Sequence, residues 1–184
     1  AGVVLVVLVL IAFVLSKQYR KVGPNEVLIV SGGRKRTVTG PDGSKRKVGY
    51  RYRLGGGTFV WPFLETASVL PMEVIPISIK TPEVLTHGGV PVLAEGVAQV
   101  KIDSSDHALR LAAEQFLGLG KDGVRGVAQA ILEGKMREVI GTMTVADMYR
   151  GRQEFADRLS KAAHHVLSRM GVPLMSFALM GISD

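Results

Sequence analysis

The residues with the types and spacing to do chemistry are few. Gly118, Gly120 and Gly123 form G-x-G-x-x-G, which cradles a pyrophosphate when it follows a strand and opens a helix. Here the apolar spacing just upstream is helical, so the glycines read as an interhelical loop. Gly55-Gly56-Gly57 lacks the Lys-Ser/Thr of a P-loop. The four histidines are His87, His107, His164 and His165. Neighbours on a helix project about 100° apart, so His164 and His165 cannot chelate one ion together. All four read as surface or interfacial residues. Asp103 with Asp106, and Glu133 with Glu138, read as solvated acids. No H-E-x-x-H or G-x-S-x-G is present, and the absence of cysteine removes thiol nucleophiles, disulfides and thiolate metal sites. The expectation is therefore a non-enzyme, with no catalytic residue, no cofactor and no metal.

What the sequence does carry is a gradient of charge. The 184 residues have 47% apolar content and a net charge of +7, too apolar for general disorder. Residues 1–15 are uncharged, and the apolar run Val3, Val4, Leu5, Val6, Val7, Leu8, Val9, Leu10, Ile11, Phe13, Val14 and Leu15 reads as a membrane anchor helix over 1–16. As a helix, fifteen residues reach only about 22 Å, against a hydrocarbon core of roughly 30 Å. With Ala1 in place of Met, the start of the span is expected to be missing. A cleaved signal peptide is the rival reading, but no basic n-region or A-x-A cleavage site is visible.

Between 17 and 53 there are eleven basic residues and two acids, Glu26 and Asp42, while 54–184 holds 12 basic and 14 acidic residues. This is a near-neutral body behind a basic collar. Lys17, Arg20 and Lys21 directly follow the anchor, which places the bulk of the chain on the cytoplasmic side and the three cations at anionic lipid headgroups. A solvated basic loop is the plainer alternative. Nucleic-acid binding would want aromatics interleaved with the cations, and Tyr50 and Tyr52 are the only hint of that. Phe59, Trp61 and Phe63 read either as a subdomain core or as an aromatic patch at the lipid interface. A single Asn and five Gln hint at a heat-adapted source.

The elements that position these residues follow from periodicity. Residues 26–30 (EVLIV) read as a strand after the turn pair Gly23-Pro24, and basic segments on either side of Gly40-Pro41-Asp42-Gly43 read as a hairpin. From 66 to 102 come β-rich pieces punctuated by prolines 71, 76, 82 and 91, which argue for edge strands, bulges or strand starts. In the last piece Val92, Ala94, Gly96, Ala98, Val100 and Ile102 share one face, opposite Glu95, Gln99 and Lys101. Helical spacing then takes over. A first helix (105–118) has Leu109, Ala112, Ala113 and Phe116 on its apolar face. A second (123–141) has Val124, Val127, Ile131, Met136 and Val139. A third (145–170) is opened by Thr144 and Asp147 and lined by Met148, Phe155, Leu159, Ala162, Val166 and Met170. Gly171 and Pro173 stop it, and 174–182 reads as a final strand. The fold class is α+β, in two small subdomains meeting near residue 80.

The blocks YRKVGPNEVLIVSGG (19–33), GGGTFVWP (55–62), TPEVLTHGGVPVLAEGVAQVKI (81–102), AAEQFLG (112–118), LEGKMREVIGTMTVADMY (132–149) and LSRMGVPLMSF (167–177) together resemble a bacterial flotillin. Flotillins belong to the stomatin/prohibitin/flotillin/HflK-C (SPFH, band 7) superfamily. The resemblance implies an SPFH1-like β-rich subdomain next to the membrane over 17–80 and an α+β SPFH2-like subdomain over 81–184. In the family a long Glu/Ala-rich coiled coil follows, beyond Asp184. It further implies a homo-oligomer of many subunits, in rings or cages, that organises microdomains of a bacterial cell membrane without enzymatic activity. NfeD-type membrane proteins are the partners it suggests, and no nucleic acid is among them. The alternative within the superfamily is a regulatory or accessory subunit of a membrane protease.

Overall fold

The computed structural model describes residues 19–39, 45–60 and 65–183, together with Gly2 and Phe13. They form two compact units, Ala1–Pro71 and Met72–Asp184. Ile75–Lys80 is a strand hydrogen-bonded along its length to Glu95–Val100 and so belongs with the second unit.

The first unit is a three-stranded antiparallel sheet of β1 (Tyr19–Thr39), β2 (Lys45–Phe59) and β3 (Thr66–Pro71), in the order β2-β1-β3. Val27, Leu28, Ile29 and Val30 are all buried. An unbroken apolar run suits a central strand covered on both faces, and Leu28 and Val30 pack with Val60 and Ala67. β1 is far longer than the five-residue strand expected, and two register breaks divide it. Residues 23–26 stand opposite Gly55, and residues 32–35 stand opposite Gly49. Gly23-Pro24 is therefore the first bulge, not a turn before the strand. Gly55 and Gly56 face it with φ of 64° and 81°, a backbone that only glycine adopts cheaply. That is the use of the glycine triplet. Pairing of Thr39 with Lys45 closes the expected hairpin, whose turn at 40–43 lies outside the described residues.

The second unit is an antiparallel sheet centred on β6 (Pro91–Val100), flanked by β4 (Ile75–Lys80), the two-residue β5 (Val84–Leu85) and β7 (Leu174–Ser183). The alternation predicted for β6 holds: Val92, Ala94, Gly96, Ala98 and Val100 are buried, and Glu95 and Gln99 are exposed. The prolines fall where a missing N–H is harmless: Pro71 ends the edge strand β3, Pro76 lies in the edge strand β4, and Pro91 starts β6. Helices α1 (Asp106–Phe116), α2 (Gly120–Thr142), α3 (Val145–Arg150) and α4 (Arg152–Ser168) cover the apolar face, with α2 against β4 and α4 against both α2 and β7. Gly96 leaves a seat for the Phe177 ring, because a Cβ there would come within 2.7 Å of it. The ring in turn meets Phe155 of α4, centroids 6.5 Å apart.

Four readings in the helical part need correction. In α2 the buried stripe is Val124, Ala128, Leu132, Met136 and Ile140, with Val139 beside it. Val127 and Ile131 lie on its half-exposed flank. In the last helix Ala163 and Leu167 are buried, and Ala162, Val166 and Met170 are half-buried. In both helices the fully buried positions recur every four residues, a row that winds slowly around a helix of about 3.6 residues per turn. The expected single helix over 145–170 is two, interrupted at Gly151, whose φ of −111° and ψ of 45° are not helical. Finally, the 118–123 glycine cluster is not all loop: Gly118 lies within the link between the helices with φ 83°, and Gly120 and Gly123 already lie in the first turn of α2.

The start of α3 is a complete capping box. The Asp147 N–H donates to Thr144 Oγ1 at 3.2 Å, and the Asp147 carboxylate accepts from the Thr144 N–H at 3.4 Å and from its hydroxyl at 2.6 Å. The hydroxyl, and then the N–H, hold the Asp147 carboxyl below the usual carboxylate range. A depressed folded-state pKa means that the unfolded chain takes up the proton first. The contribution is full above the ordinary aspartate range and is lost as pH falls through the folded-state value. Asp147→Asn should therefore remove this part of the acid sensitivity, read as a shallower fall of the melting temperature below pH 4 than in the parent chain. Parallel acid profiles would contradict the assignment.

Candidate membrane-facing surface

The anchor expectation meets the structure at one end of the first sheet. β1 starts at Tyr19, so extended backbone begins directly after the expected anchor and the first cation, Lys17. Antiparallel pairing sets Tyr19 opposite Phe59, Arg20 opposite Thr58 and Lys21 opposite Gly57. Two aromatic residues and two cations therefore share the strand end from which the anchor would leave. Tyr, Trp and Phe beside Arg and Lys is the composition of a membrane–water interface, where amphipathic rings sit at headgroup depth and cations meet phosphate. The spacing of Tyr19 and Phe59 along the chain hides this neighbourhood. The signal that would have found it is the count of strand residues outward from the hairpin turn.

Of the predicted site residues, Arg20, Lys21 and Phe59 are brought together by this register. Lys17, Trp61 and Phe63 lie outside the described residues, as do all the anchor positions except Phe13, which is helical and 57% exposed. Among the described residues no helix is long and apolar enough to cross a membrane. Val60, within the aromatic segment, is buried against Leu28 and Val30, so at least this residue of the segment serves the core.

The basic collar is not one surface. Arg20 and Lys21 stand at the open end of β1, Arg51 and Arg53 mid-strand opposite Val30 and Leu28, and Lys45–Lys47 at the hairpin end. One cation of the collar has an internal role that sequence reasoning missed. Arg51 Nη2 donates to Glu65 Oε2 at 2.9 Å, with the Glu65 side chain 9% exposed, tying β2 to the residue before β3. The charge-assisted bond keeps this nearly buried carboxylate paired.

Elsewhere the chemistry stays sparse. His87, His107, His164 and His165 are all exposed, as the sequence suggested. Among the described residues no group of three or more His, Cys, Asp or Glu is placed to hold a metal ion. A shallow cleft of about 230 Å³ between α4 and β7 is lined by Ser160, Lys161, His164, Leu174, Met175 and Ser176. Ser160 and His164 are one helical turn apart, but the lining offers no carboxylate to orient the imidazole, so it lacks the third member of a nucleophilic set.

The SPFH domain / Band 7 family matches residues 20–183. The chain is similar to Flotillin-like protein FloT of Bacillus subtilis, with 38% identity across the whole of this chain and 36% of the relative. It is also similar to Flotillin-2a of Danio rerio and Flotillin-2 of Homo sapiens, each 34% identical over 89% of this chain and 36% of the relative. The chain thus spans about a third of the length of these curated relatives.

Proposed function

From a chain that belongs to the SPFH domain / Band 7 family and is flotillin-like, we propose a membrane-anchored scaffold subunit that assembles into homo-oligomeric rings or cages and organises membrane microdomains. The observation that carries this reading is the strand end at Tyr19, Arg20, Lys21 and Phe59. It lies directly after an uncharged 15-residue segment, and its aromatic–cationic composition suits a headgroup layer. Residues 1–16 serve as the anchor, Lys17, Arg20 and Lys21 hold anionic headgroups, and Phe59, Trp61 and Phe63 sit at the interface. The bulk of the chain faces the cytoplasm of a bacterial cell, and an NfeD-type membrane protein is a fitting partner.

Extraction of the full-length protein in mild detergent tests the proposal. A complex of many identical subunits is expected, with or without an NfeD-type protein. Stoichiometric recovery of a membrane protease would instead make the chain an accessory subunit of that enzyme.

A further inference from the structure

Among the described residues β7 pairs with β6 alone, so its far side is a free edge of the second sheet. The opposite edge, β4, contains Pro76 and ends on Lys80, two features that deter an added strand. β7 has neither proline nor charge in LMSFALMGIS. Its register against β6 shifts between Gln99 and Val100 and again between Glu95 and Gly96, which leaves Ser176–Leu179 as one regular run between Met175 and Met180. These two methionines are 59% and 65% exposed. Past the second shift the edge is engaged, because the Ile182 carbonyl accepts from the Tyr149 hydroxyl of α3 at 2.9 Å. In a regular antiparallel strand every second residue directs both its N–H and its C=O away from its partner. Among the described residues no backbone group meets those of Ser176–Leu179 on the free side.

We propose that this edge and the cleft beside it bind an extended acidic peptide of a partner protein, added as a strand along Ser176–Leu179 with a carboxylate set against Lys161. Strand addition takes its affinity from main-chain hydrogen bonds and its selectivity from pockets for alternate side chains. The cleft of about 230 Å³ supplies the pocket, with Ser160, Lys161 and His164 of α4 on one wall and Leu174, Met175 and Ser176 of β7 on the other. Alternate side chains of an added strand share one face, so one set turns toward α4. There an apolar side chain meets Leu174 and Met175, and an acid meets Lys161. The preference for an acid follows from the lining, which holds an ammonium and an imidazole and no carboxylate. Among the described residues Lys161 has no ion-pair partner of its own. A second copy of the chain is the less fitting occupant. Pairing β7 with β7 about a two-fold axis would bring both Lys161 side chains to one side of the joined sheet, and the two register shifts would interrupt a longer ladder. The inference concerns the second unit and rests on no part of the anchored reading. It would let a scaffold collect proteins that carry unstructured acidic segments.

Fluorescein-labelled, capped peptides test the site on the full-length protein in mild detergent. The probes alternate Thr and Val around a central Glu, Gln or Lys, and a further Glu probe has its backbone amides N-methylated. The Glu probe should bind saturably and about tenfold tighter than the Gln probe, the effect of one charge-assisted bond. N-methylation should abolish its binding, and amide hydrogen exchange within Ser176–Leu179 should slow when the Glu probe is bound. Lys161 is exposed, so Lys161→Glu should leave the fold intact and transfer the preference from the Glu probe to the Lys probe. Equal binding of the N-methylated probe would overturn strand addition. An unchanged ranking of the probes in Lys161→Glu would overturn the assigned pocket, and no saturable binding by any probe would overturn the proposal as a whole. Self-association that Lys161→Glu strengthens, with no probe bound by either chain, would assign the edge to a second copy instead.

Discussion

Deleting residues 1–15 and replacing Lys17, Arg20 and Lys21 with Gln should release the protein from anionic vesicles at physiological salt. Three cations within a screening length of the surface contribute on the order of 1 kcal/mol each, which alone is more than 100-fold in partitioning. Loss of the apolar segment adds a larger, salt-independent term, since burial of each CH₂ is worth about 0.8 kcal/mol. The two terms separate in a salt titration followed by vesicle flotation. The parent chain should stay bound at high salt. The deletion alone should bind weakly and in a salt-sensitive way. Adding the three Gln substitutions should abolish that residue of binding. Binding of the combined variant that matches the parent at high salt would contradict an anchor at the N-terminus.

The second large effect is structural. Gly171 follows α4 with φ 78°, and its N–H donates to the Ser168 carbonyl at 3.0 Å while the Val172 N–H donates to the Leu167 carbonyl at 3.1 Å. These are the paired bonds of a glycine-terminated helix end. The position is also where the chain touches α1 backbone to backbone. A Cβ on Gly171 would lie 2.2 Å from the Ala108 carbonyl oxygen and 2.9 Å from the Ala112 nitrogen. Neither contact can be relieved by turning a side chain, and a left-handed backbone already costs alanine about 1–2 kcal/mol. Gly171→Ala should therefore destabilise the second unit by about 4 kcal/mol, read as a lower urea midpoint at unchanged slope. Gly134 is the matched control. It sits within α2, and a Cβ added there would meet nothing within 4 Å, so Gly134→Ala should be neutral or stabilise by up to about 1 kcal/mol. Equal effects of the two substitutions would contradict the packing described for Gly171.

These two positions are legible in the sequence to different degrees. Gly171 reads as a helix stop, because glycine after an apolar periodic run followed by Pro173 is a local signal. Its contact with Ala108 is not local, and nothing in the spacing reveals it. The same contrast runs through the second unit. The β6 alternation is plain because strand period is fixed at two. The helical faces drift because a stripe of 124, 128, 132 and 136 and one of 124, 127, 131 and 136 differ by one residue per turn, and only the sheet beneath decides between them. Gly151 reads as a tolerated helix glycine, since the apolar face continues on either side of it from Met148 to Phe155.

In the first unit the basic residues are visible at once, but their grouping is not. Read along the chain they form one collar, whereas the long strands set Arg20 and Lys21 at one end and Lys45–Lys47 at the other, with Arg53 between them and Arg51 paired to Glu65. Bulges opposite glycines are hard to tell from turns, which is why Gly23-Pro24 reads as the start of a strand and not its interior. The neighbourhood of Tyr19 and Phe59 depends on the register of the whole hairpin, and the register depends on both bulges.

Closure is the defining property of the proposed membrane-anchored assembly. Electron microscopy of the full-length protein in mild detergent tests it most directly. Closed rings or cages of many subunits, with one lipid- or detergent-covered rim, are the expected images. A uniform population of small particles, of the size of one or two subunits, would contradict it.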